Sequence, residues 1–327
     1  MVLTPNARRF LAGVFLLFAV AGCATVAPQA QSLRDLRPSG LPPRAELVEV
    51  PFYPENDNQC GPATLAMALN AAGAKVSPEM LKDQVYLPDR KGSLQVEMLS
   101  AARRNGMIAL ELAPQLADAL REVAAGTPVV VLQNLGLDAY PLWHYALVVG
   151  YDLDRAELTL RSGLERRQTL PLALFENTWR QGGYWAMVAV PPDRLPRTAT
   201  EPAYASAAAA LEKSGQVPAA KMAYSTLLAR WPDSLAGWIG LGNTSYALGD
   251  VRQAEMAFRK ATEVHPESAG AFNNLAQTLA DQGRLTEALA AARRAVSLGG
   301  PFLETARATL EYVLQQQKSR PAAGRAD

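Results

Sequence analysis

Cysteine and histidine are scarce in this chain, so each one can be considered as a separate chemical group. The 327 residues include two cysteines, Cys23 and Cys60, and two histidines, His144 and His265. Cys60 begins a predicted helix, where the positive end of the helix dipole favours the thiolate form of the side chain. His144 begins a predicted strand about 80 residues later and is suited to proton transfer near neutral pH. A cysteine and a histidine in this arrangement are typical of nucleophilic catalysis by a thiol.

Each of the two residues also has a plain structural interpretation. A lone cysteine at the start of a helix is often a small buried apolar group. A lone histidine at a strand end is often a polar residue whose ring nitrogens are hydrogen-bonded. Cys60 and His144 alone therefore leave a catalytic and a structural role open.

The segment that carries both residues, 46–196, is predicted to be an α+β domain. Hydrophobic periodicity predicts helices over residues 61–72, 78–84, 94–105 and 116–125, and strands over residues 48–52, 128–133, 145–151, 157–161 and 185–190. Helices precede most of the strands, which is the order of an α+β fold rather than of an alternating βαβ fold.

Two motifs in this segment resemble the double-glycine (bacteriocin-processing) peptidase-like family. The first is Gln-Cys-Gly-Pro-Ala at residues 59–63, and the second is Trp-His-Tyr-Ala-Leu-Val-Val-Gly-Tyr-Asp at residues 143–152. The resemblance implies a papain-like cysteine peptidase domain that needs no cofactor or metal. It also implies that Cys60 is the nucleophile, and that His144 acts as general base and then as general acid during hydrolysis of a peptide bond.

The chain departs from the family pattern at the residue that orients the histidine. In the family this residue is an aspartate on the strand after the histidine strand. Here the corresponding stretch, 160–163, reads Leu-Arg-Ser-Gly. Ser162 or a main-chain carbonyl would therefore have to orient the ring of His144.

A second departure concerns the oxyanion hole, the set of hydrogen-bond donors that stabilises negative charge on the reacting carbonyl oxygen. Relatives have a glutamine shortly before the cysteine, where this chain has Pro54 and Glu55. A carboxylate accepts hydrogen bonds and donates one only when it is protonated. Gln59 and Asn56 are the candidate replacements beside the backbone N–H of Cys60.

Residues 1–22 are predicted to be a secretory signal peptide. Arg8 and Arg9 precede an apolar run over residues 10–21, and small residues lead into Cys23. The run is shorter than the roughly 20 residues that span a bilayer as a helix. Its end resembles a bacterial lipoprotein signal, which implies cleavage before Cys23, acylation of this cysteine and attachment to a membrane.

Ala24, instead of aspartate, follows the cysteine, which resembles the pattern of outer-membrane lipoproteins in diderm bacteria. The predicted location is therefore the periplasmic side of the outer membrane, with residues 23–45 as a flexible tether rich in Ala, Gln, Ser and Pro. The alternative is an ordinary signal peptide that contains a cysteine. Acylation of Cys23 would leave Cys60 without a disulfide partner, as a candidate reactive thiol.

The C-terminal third repeats with a period of 34 residues. The aromatic residues at one repeated position are Tyr204, Trp238 and Phe272, and the glycines at another are Gly215, Gly249 and Gly283. This pattern resembles the tetratricopeptide repeat, and it predicts an all-α solenoid over residues 201–318, as three repeats (201–234, 235–268 and 269–300) and a capping helix. Such an array offers a concave surface for a peptide or protein partner. Alternatively, it packs on the first domain as a structural extension.

Composition excludes several other classes of protein. The 32 basic and 31 acidic residues give a formal net charge of +1 without a long basic run, which argues against nucleic-acid binding. The two cysteines and two histidines do not have the spacing of metal ligands. A hydrophobic fraction of 49% suits a packed core rather than a disordered chain.

These observations predict a membrane-anchored, periplasm-facing cysteine peptidase whose repeats bind a peptide or protein substrate or a protein partner. Two alternatives stay open. In the first, the domain is a catalytically inactive binding or assembly lipoprotein, which the missing aspartate and glutamine favour. In the second, the Cys60–His144 pair acts as an amidase on cell-wall peptides.

Overall fold

The computed structural model describes residues 27–55 and 59–319. The strands, in chain order, are β1 (Arg44–Glu46), β2 (Tyr86–Leu87), β3 (Gly92–Ser93), β4 (Ile108–Glu111), β5 (Val129–Asn134), β6 (Trp143–Asp152), β7 (Glu157–Ser162), β8 (Glu165–Pro171) and β9 (Ala186–Val190). The helices of the first domain are α1 (Pro28–Asp35), α2 (Cys60–Ala71), α3 (Pro78–Val85), α4 (Gln95–Arg104), α5 (Leu116–Ala124) and α6 (Leu172–Gln181). Those that follow are α7 (Glu201–Lys213), α8 (Val217–Arg230), α9 (Leu235–Ala247), α10 (Val251–Val264), α11 (Ala269–Asp281), α12 (Leu285–Leu298) and α13 (Leu303–Ser319). Within the described ranges, no helix is both long and apolar enough to cross a membrane.

The main sheet is antiparallel and is centred on β6. In the described part of the chain it has seven strands, in the order β4-β9-β5-β6-β7-β8, with β1 paired to the far end of β6. β6 pairs with β5 on one side and with β7 on the other. Because His144 is the second residue of β6, the central strand of the sheet positions it.

Alternate residues of the strands face two separate cores, as the two-residue period of a strand requires. On one face, Val130 and Leu147 belong to a core that includes residues of α2, α3 and α4. On the other face, Val131 and Val148 belong to a core that includes residues of α5, α6 and α7. The helix that begins with Cys60 therefore covers one face, and the first helix of the C-terminal array helps to cover the other. This is the α+β domain followed by an all-α array that the sequence predicts.

Helix α1 lies within the region 23–45 that was expected to be a flexible tether. Ala30 and Leu33 of α1 are buried in the second core. The carboxylate of Glu176 on α6 accepts hydrogen bonds from the backbone N–H groups of Gln29 (3.0 Å) and Ala30 (2.6 Å). A carboxylate at the start of a helix stabilises N–H groups that have no intrahelical partner. The tether prediction is therefore wrong from α1 onwards, because its composition does not reveal a capping group in a distant helix.

The strand predicted over residues 48–52 is also wrong, since β1 ends before it. The chain turns here, and the N–H of Val50 donates to the carbonyl of Leu47 (3.3 Å). The buried guanidinium of Arg161 donates to the carbonyls of Val48 (3.3 Å) and Val50 (3.5 Å). These hydrogen bonds stabilise the turn that the segment forms in place of a strand.

Sequence periodicity does not predict β4, β8 or α6. Strand β8 reads Glu-Arg-Arg-Gln-Thr-Leu-Pro and is largely exposed at the edge of the sheet. An edge strand of this kind has too few apolar residues for a recognisable alternation.

The C-terminal helices form three consecutive pairs, α7–α8, α9–α10 and α11–α12, followed by α13. A Cβ atom on Gly242 of α9 would lie 2.3 Å from the ring of Phe258 of α10. A glycine opposite an aromatic ring therefore allows these two helices to pack closely. Gly249, which follows α9, has a φ of +78°, a left-handed conformation that favours glycine at the end of a helix.

The first helix pair is packed into the core of the sheet domain. Tyr204 of α7 is 0% exposed within the second core, and its hydroxyl donates to the carbonyl of Pro192 (3.0 Å). The buried carboxylate of Glu122 on α5 accepts hydrogen bonds from the N–H groups of Arg197 (3.1 Å) and Thr198 (2.7 Å) in the connecting segment. The connection between the two parts is therefore fixed by buried contacts.

We expect a chain that ends at residue 200 to be less stable than one that ends at residue 234. The shorter chain loses Tyr204 and Leu211 from the core, and burial of two such side chains contributes about 3–6 kcal/mol to the free energy of unfolding. Urea unfolding, followed by near-ultraviolet circular dichroism, measures the difference. Equal unfolding midpoints would contradict the shared core.

Candidate active site

Cys60 is the first residue of α2, and Gln59 is the N-cap residue of this helix. The N–H groups of the first helical turn have no partner within the helix and are available to other acceptors. A Cβ atom on Gly61 would lie 2.2 Å from Oγ of Ser93 in β3. The glycine after the cysteine therefore allows the first turn of α2 to pack directly against β3.

Two contacts hold the start of α2 against β6. The hydroxyl of Thr64 donates to the carbonyl of Tyr145 (3.2 Å). The backbone of Tyr145 lies beside the Cys60 thiol and lowers its pKa. Since Tyr145 follows His144 in β6, these contacts bring the thiol to the part of the strand that carries the histidine.

The ring of His144 is held at Nε2 by a serine of the adjacent strand. Nε2 lies 2.8 Å from Oγ of Ser162, the last residue of β7. Ser162 is buried, and the β7–β8 register shifts between Leu160 and Ser162. The structure thus places Ser162, the candidate orienting residue, in hydrogen-bond contact with His144.

Glu55 lies at the other ring nitrogen of His144. Its Oε2 is 3.9 Å from Nδ1, and both side chains are largely buried. The N–H of Glu55 donates to the carbonyl of Gly163 (3.1 Å), and the N–H of Gly163 donates to Oε1 of Glu55 (3.0 Å). Sequence reasoning treated Glu55 only as a departure from a family pattern, and its position shortly before Cys60 was the signal that it belongs to the site.

The structure does not test the predicted roles of the remaining candidate residues. Asn56 and Cys23 lie outside the described residues. Gln59 borders a neighbouring pocket together with Tyr53 and Pro54. The roles of Gln59 and Asn56 in an oxyanion hole therefore stay predictions.

Burial favours the uncharged forms of the Cys60 thiol and the His144 imidazole. Burial raises the pKa of the Cys60 thiol, and the negative charge of Glu55 raises it further. Backbone N–H donors, among them that of Tyr145, lower this pKa but are outweighed. Burial also lowers the pKa of the His144 imidazole. Burial therefore opposes the effect that the helix dipole is expected to have on the thiol.

Burial also favours the uncharged form of the carboxyl group of Glu55. Burial raises its pKa, and the hydrogen bond from the N–H of Gly163 acts against this shift. An ionised Glu55 competes with the thiolate of Cys60 for a positive charge on His144, and it repels that thiolate directly. The ionisation of Glu55 therefore adds to the effect of burial, which is the larger cause of the raised pKa of Cys60.

A cleft of about 560 Å³ opens at Cys60. Its lining comes from the β2–β3 hairpin, the start of α4, the segment before His144, and single residues of β5, β6 and the turn after α6. These residues are Arg90, Lys91, Gly92, Ser93, Leu94, Gln95, Leu132, Pro141, Leu142, Trp143, Tyr145 and Gly182. The cleft has room for several residues of a peptide beside the thiol. Within residues 27–55 and 59–319, no group of three or more His, Cys, Asp or Glu side chains is placed to hold a metal ion.

Comparison with protein families identifies both parts of the chain. Residues 47–187 match the model of the Peptidase_C39 like family. Residues 204–251 and 240–301 match the model of the tetratricopeptide repeat. The chain thus joins a C39-like peptidase domain to tetratricopeptide repeats, which confirms the resemblance that the two motifs and the 34-residue period indicate. No curated protein matches the chain.

Similar solved structures each cover one part of the chain. A protein from Bacillus anthracis described as a C39-like peptidase is 21% identical with a TM-score of 0.39, covering 47% of this chain and 99% of that chain. The type III secretion translocator chaperone SycD of Yersinia enterocolitica is 20% identical with a TM-score of 0.34. The match covers 35% of this chain and 83% of SycD. A TPR protein of Thermus thermophilus is 23% identical with a TM-score of 0.34. The match covers 37% of this chain and 67% of the Thermus protein.

We expect Glu55→Gln to make the Cys60 thiol more reactive. Glutamine keeps an oxygen that accepts from Gly163 but removes the negative charge, so the pKa of Cys60 falls and the thiolate forms at lower pH. We expect the alkylation rate at pH 7 to rise by about threefold to tenfold. The measurement is the rate of reaction with iodoacetamide across pH 5–10, in the chain from residue 24, where Cys60 is the only cysteine.

The matched control is Glu79→Gln, which removes a carboxylate from the exposed start of α3. Its pH profile should coincide with that of the unaltered chain. If Glu55→Gln also leaves the profile unchanged, the charge of Glu55 does not act on Cys60.

Proposed function

We propose that the N-terminal domain is a cysteine peptidase that hydrolyses peptide bonds at Cys60. The observation that carries the proposal is the constrained ring of His144. Its Nε2 is 2.8 Å from Oγ of Ser162, and its Nδ1 is 3.9 Å from Oε2 of Glu55. A ring held at one nitrogen presents the other nitrogen in a defined orientation, as a general base requires. The family match over residues 47–187 supports the same chemistry.

In this mechanism Nδ1 of His144 takes the proton of the Cys60 thiol while Sγ attacks the carbonyl carbon of the substrate. Because burial favours the uncharged forms of the Cys60 thiol and the His144 imidazole, the proton moves as Sγ attacks the carbonyl carbon. The C–N bond of the tetrahedral intermediate then breaks as the imidazolium protonates the leaving amine, and a thioester forms on Cys60. Water adds to the thioester and gives a proton to His144. The C–S bond breaks, and this proton returns to the thiol as the carboxylic acid product leaves.

The negative charge on the reacting oxygen requires hydrogen-bond donors. The N–H of Cys60 in the first turn of α2 is one such donor. Gln59 and Asn56 are sequence-based candidates for a second donor. Glu55 is a third candidate, because burial raises its pKa and only the protonated carboxyl group can donate.

A peptide-binding domain without catalysis is the second candidate function. Two observations favour it: the pKa of the Cys60 thiol is raised, and a serine replaces a carboxylate beside His144. A hydroxyl stabilises an imidazolium less well than a carboxylate does. In this case the cleft would hold peptides without cleaving them.

For the repeats, the proposed role is to bind a peptide or protein partner. A cavity of about 290 Å³ on this array is lined by Asn243, Tyr246, Phe258, Asn274, Gln277 and Thr278. The amide of Asn274 donates to Oδ1 of Asn243 (3.2 Å). Side-chain amides offer both donors and acceptors, which suits them to a peptide backbone.

Acylation of Cys23, as the anchor to the periplasmic side of the outer membrane, belongs to the same proposal. It is supported by the order of basic, apolar and small residues before Cys23. We expect Cys23→Ser to abolish incorporation of labelled palmitate and to release the protein from the membrane fraction. Labelling and membrane attachment that survive this substitution would contradict the anchor.

The peptidase proposal is tested with a mixture of unstructured peptides of known sequence, whose cleaved bonds are located by mass spectrometry. We expect Cys60→Ala to abolish cleavage and His144→Ala to lower kcat/KM by about 100-fold or more, as for loss of a general base. Ser162→Ala should lower kcat with little change in KM, because Ser162 acts through the ring of His144.

His265→Ala, in the repeats, is the matched control and should cleave at the normal rate. Cleavage that persists in Cys60→Ala would contradict the proposal. Binding of peptides without any cleavage by the unaltered chain would favour the second candidate function.

A further inference from the structure

The wall of the cleft beside Cys60 carries charge of one sign. We call residues 86–93 the basic hairpin: β2 and β3 pair here, and Arg90 and Lys91 line the cleft. Both side chains are exposed, and neither has an ion-pair partner within the described part of the chain. The lining residues include no aspartate or glutamate. The cleft therefore presents two positive charges that nothing described there neutralises.

The basic hairpin is fixed next to the nucleophile. The hydroxyl of Tyr145 donates to the carbonyl of Ser93 (3.2 Å), and Ser93 packs against Gly61 in the first turn of α2. Lys91 has a φ of +47°, in the left-handed region that residues other than glycine rarely adopt. Such conformations cluster at binding and active sites. The hairpin thus holds its positive charges at a defined place beside Cys60.

Another part of the cleft lining is apolar. We call residues 135–143 the apolar loop, in which Leu142 is 62% and Trp143 is 52% exposed while both line the cleft. The other exposed large apolar residues of the loop are Leu135, Leu137 and Tyr140. Oδ1 of Asn134 accepts from the N–H groups of Gly136 (2.9 Å) and Leu142 (2.8 Å), which fixes the loop. Several exposed apolar residues grouped in one loop are typical of an interaction site.

We infer that the cleft selects peptides that carry an acidic side chain for the basic hairpin and a bulky apolar side chain for the apolar loop. This inference rests on the proposed peptidase function and names its substrate class. The nearby acidic residues Asp89 and Asp138 are exposed and lie outside the lining, and neither forms an ion pair with Arg90 or Lys91. Glu55 repels a carboxylate at the thiol itself, and the acidic side chain therefore binds away from the scissile bond.

Equilibrium binding tests the inference without requiring cleavage. The full chain with Cys60→Ser is titrated into fluorescein-labelled peptides that contain Glu and Phe, and into matched peptides in which Gln or Lys replaces Glu, or Ser replaces Phe. Fluorescence anisotropy gives each Kd. Two exposed charge contacts should make the Glu peptide bind about threefold to tenfold more tightly than the Gln peptide, and 0.5 M salt should remove this difference. The Ser peptide should bind more weakly than the Phe peptide.

Charge reversal identifies the residues responsible. Arg90→Glu with Lys91→Glu should abolish the preference for the Glu peptide and create a preference for the Lys peptide. The milder Arg90→Gln with Lys91→Gln should abolish the preference for the Glu peptide without creating one for the Lys peptide. The control pair, Lys213→Glu with Arg252→Glu, alters exposed residues of the repeats and should keep the preference for Glu. Equal binding of the Glu, Gln and Lys peptides, or a preference that survives charge reversal, would overturn the inference.

Cleavage of the same peptides by the chain with Cys60 separates this inference from the proposed function. A binding preference for acidic peptides without any cleavage would support the ligand class and contradict the peptidase. Cleavage without preference for acidic peptides would support the peptidase and overturn the inference.

Discussion

The geometry of the candidate active site depends on two hydrogen bonds that run in opposite directions between Glu55 and Gly163. The N–H of each residue donates to an oxygen of the other, at 3.1 and 3.0 Å. They hold the segment before Cys60 against the end of β7, where Ser162 contacts the ring of His144. Groups about 100 residues apart in the sequence thereby meet at one end of the sheet.

The same contact gives the site its electrostatic character. The carboxyl group of Glu55 is buried close to both His144 and the Cys60 thiol. An amide donates a hydrogen bond at any pH, whereas a carboxyl group donates only when protonated. Burial shifts Cys60, His144 and Glu55 towards their uncharged forms. The thiolate of Cys60 must therefore form in a site where burial and the negative charge of Glu55 both oppose it.

Local sequence patterns predict the parts of the structure that depend on local physics. Helix α2, strand β6 and the repeats all have strong periodicity or a motif. The docked helix α1 could not be predicted, because its cap is Glu176 in a distant helix. The turn at 48–50 is likewise stabilised by hydrogen bonds from a distant residue, the buried Arg161. Ser162 was identified as a candidate from its position after the histidine strand, but the contact between Glu55 and His144 is visible only once the sheet brings them together.

The most direct test of catalysis by Cys60 and His144 is to observe the acyl-enzyme. The full chain is mixed with the p-nitrophenyl ester of a short peptide, quenched in acid after milliseconds to seconds, digested and analysed by mass spectrometry. We expect a thioester on Cys60 that forms about 100-fold faster than in His144→Ala, as for removal of a general base. No adduct on Cys60, or equal rates in the two proteins, would contradict catalysis by this pair.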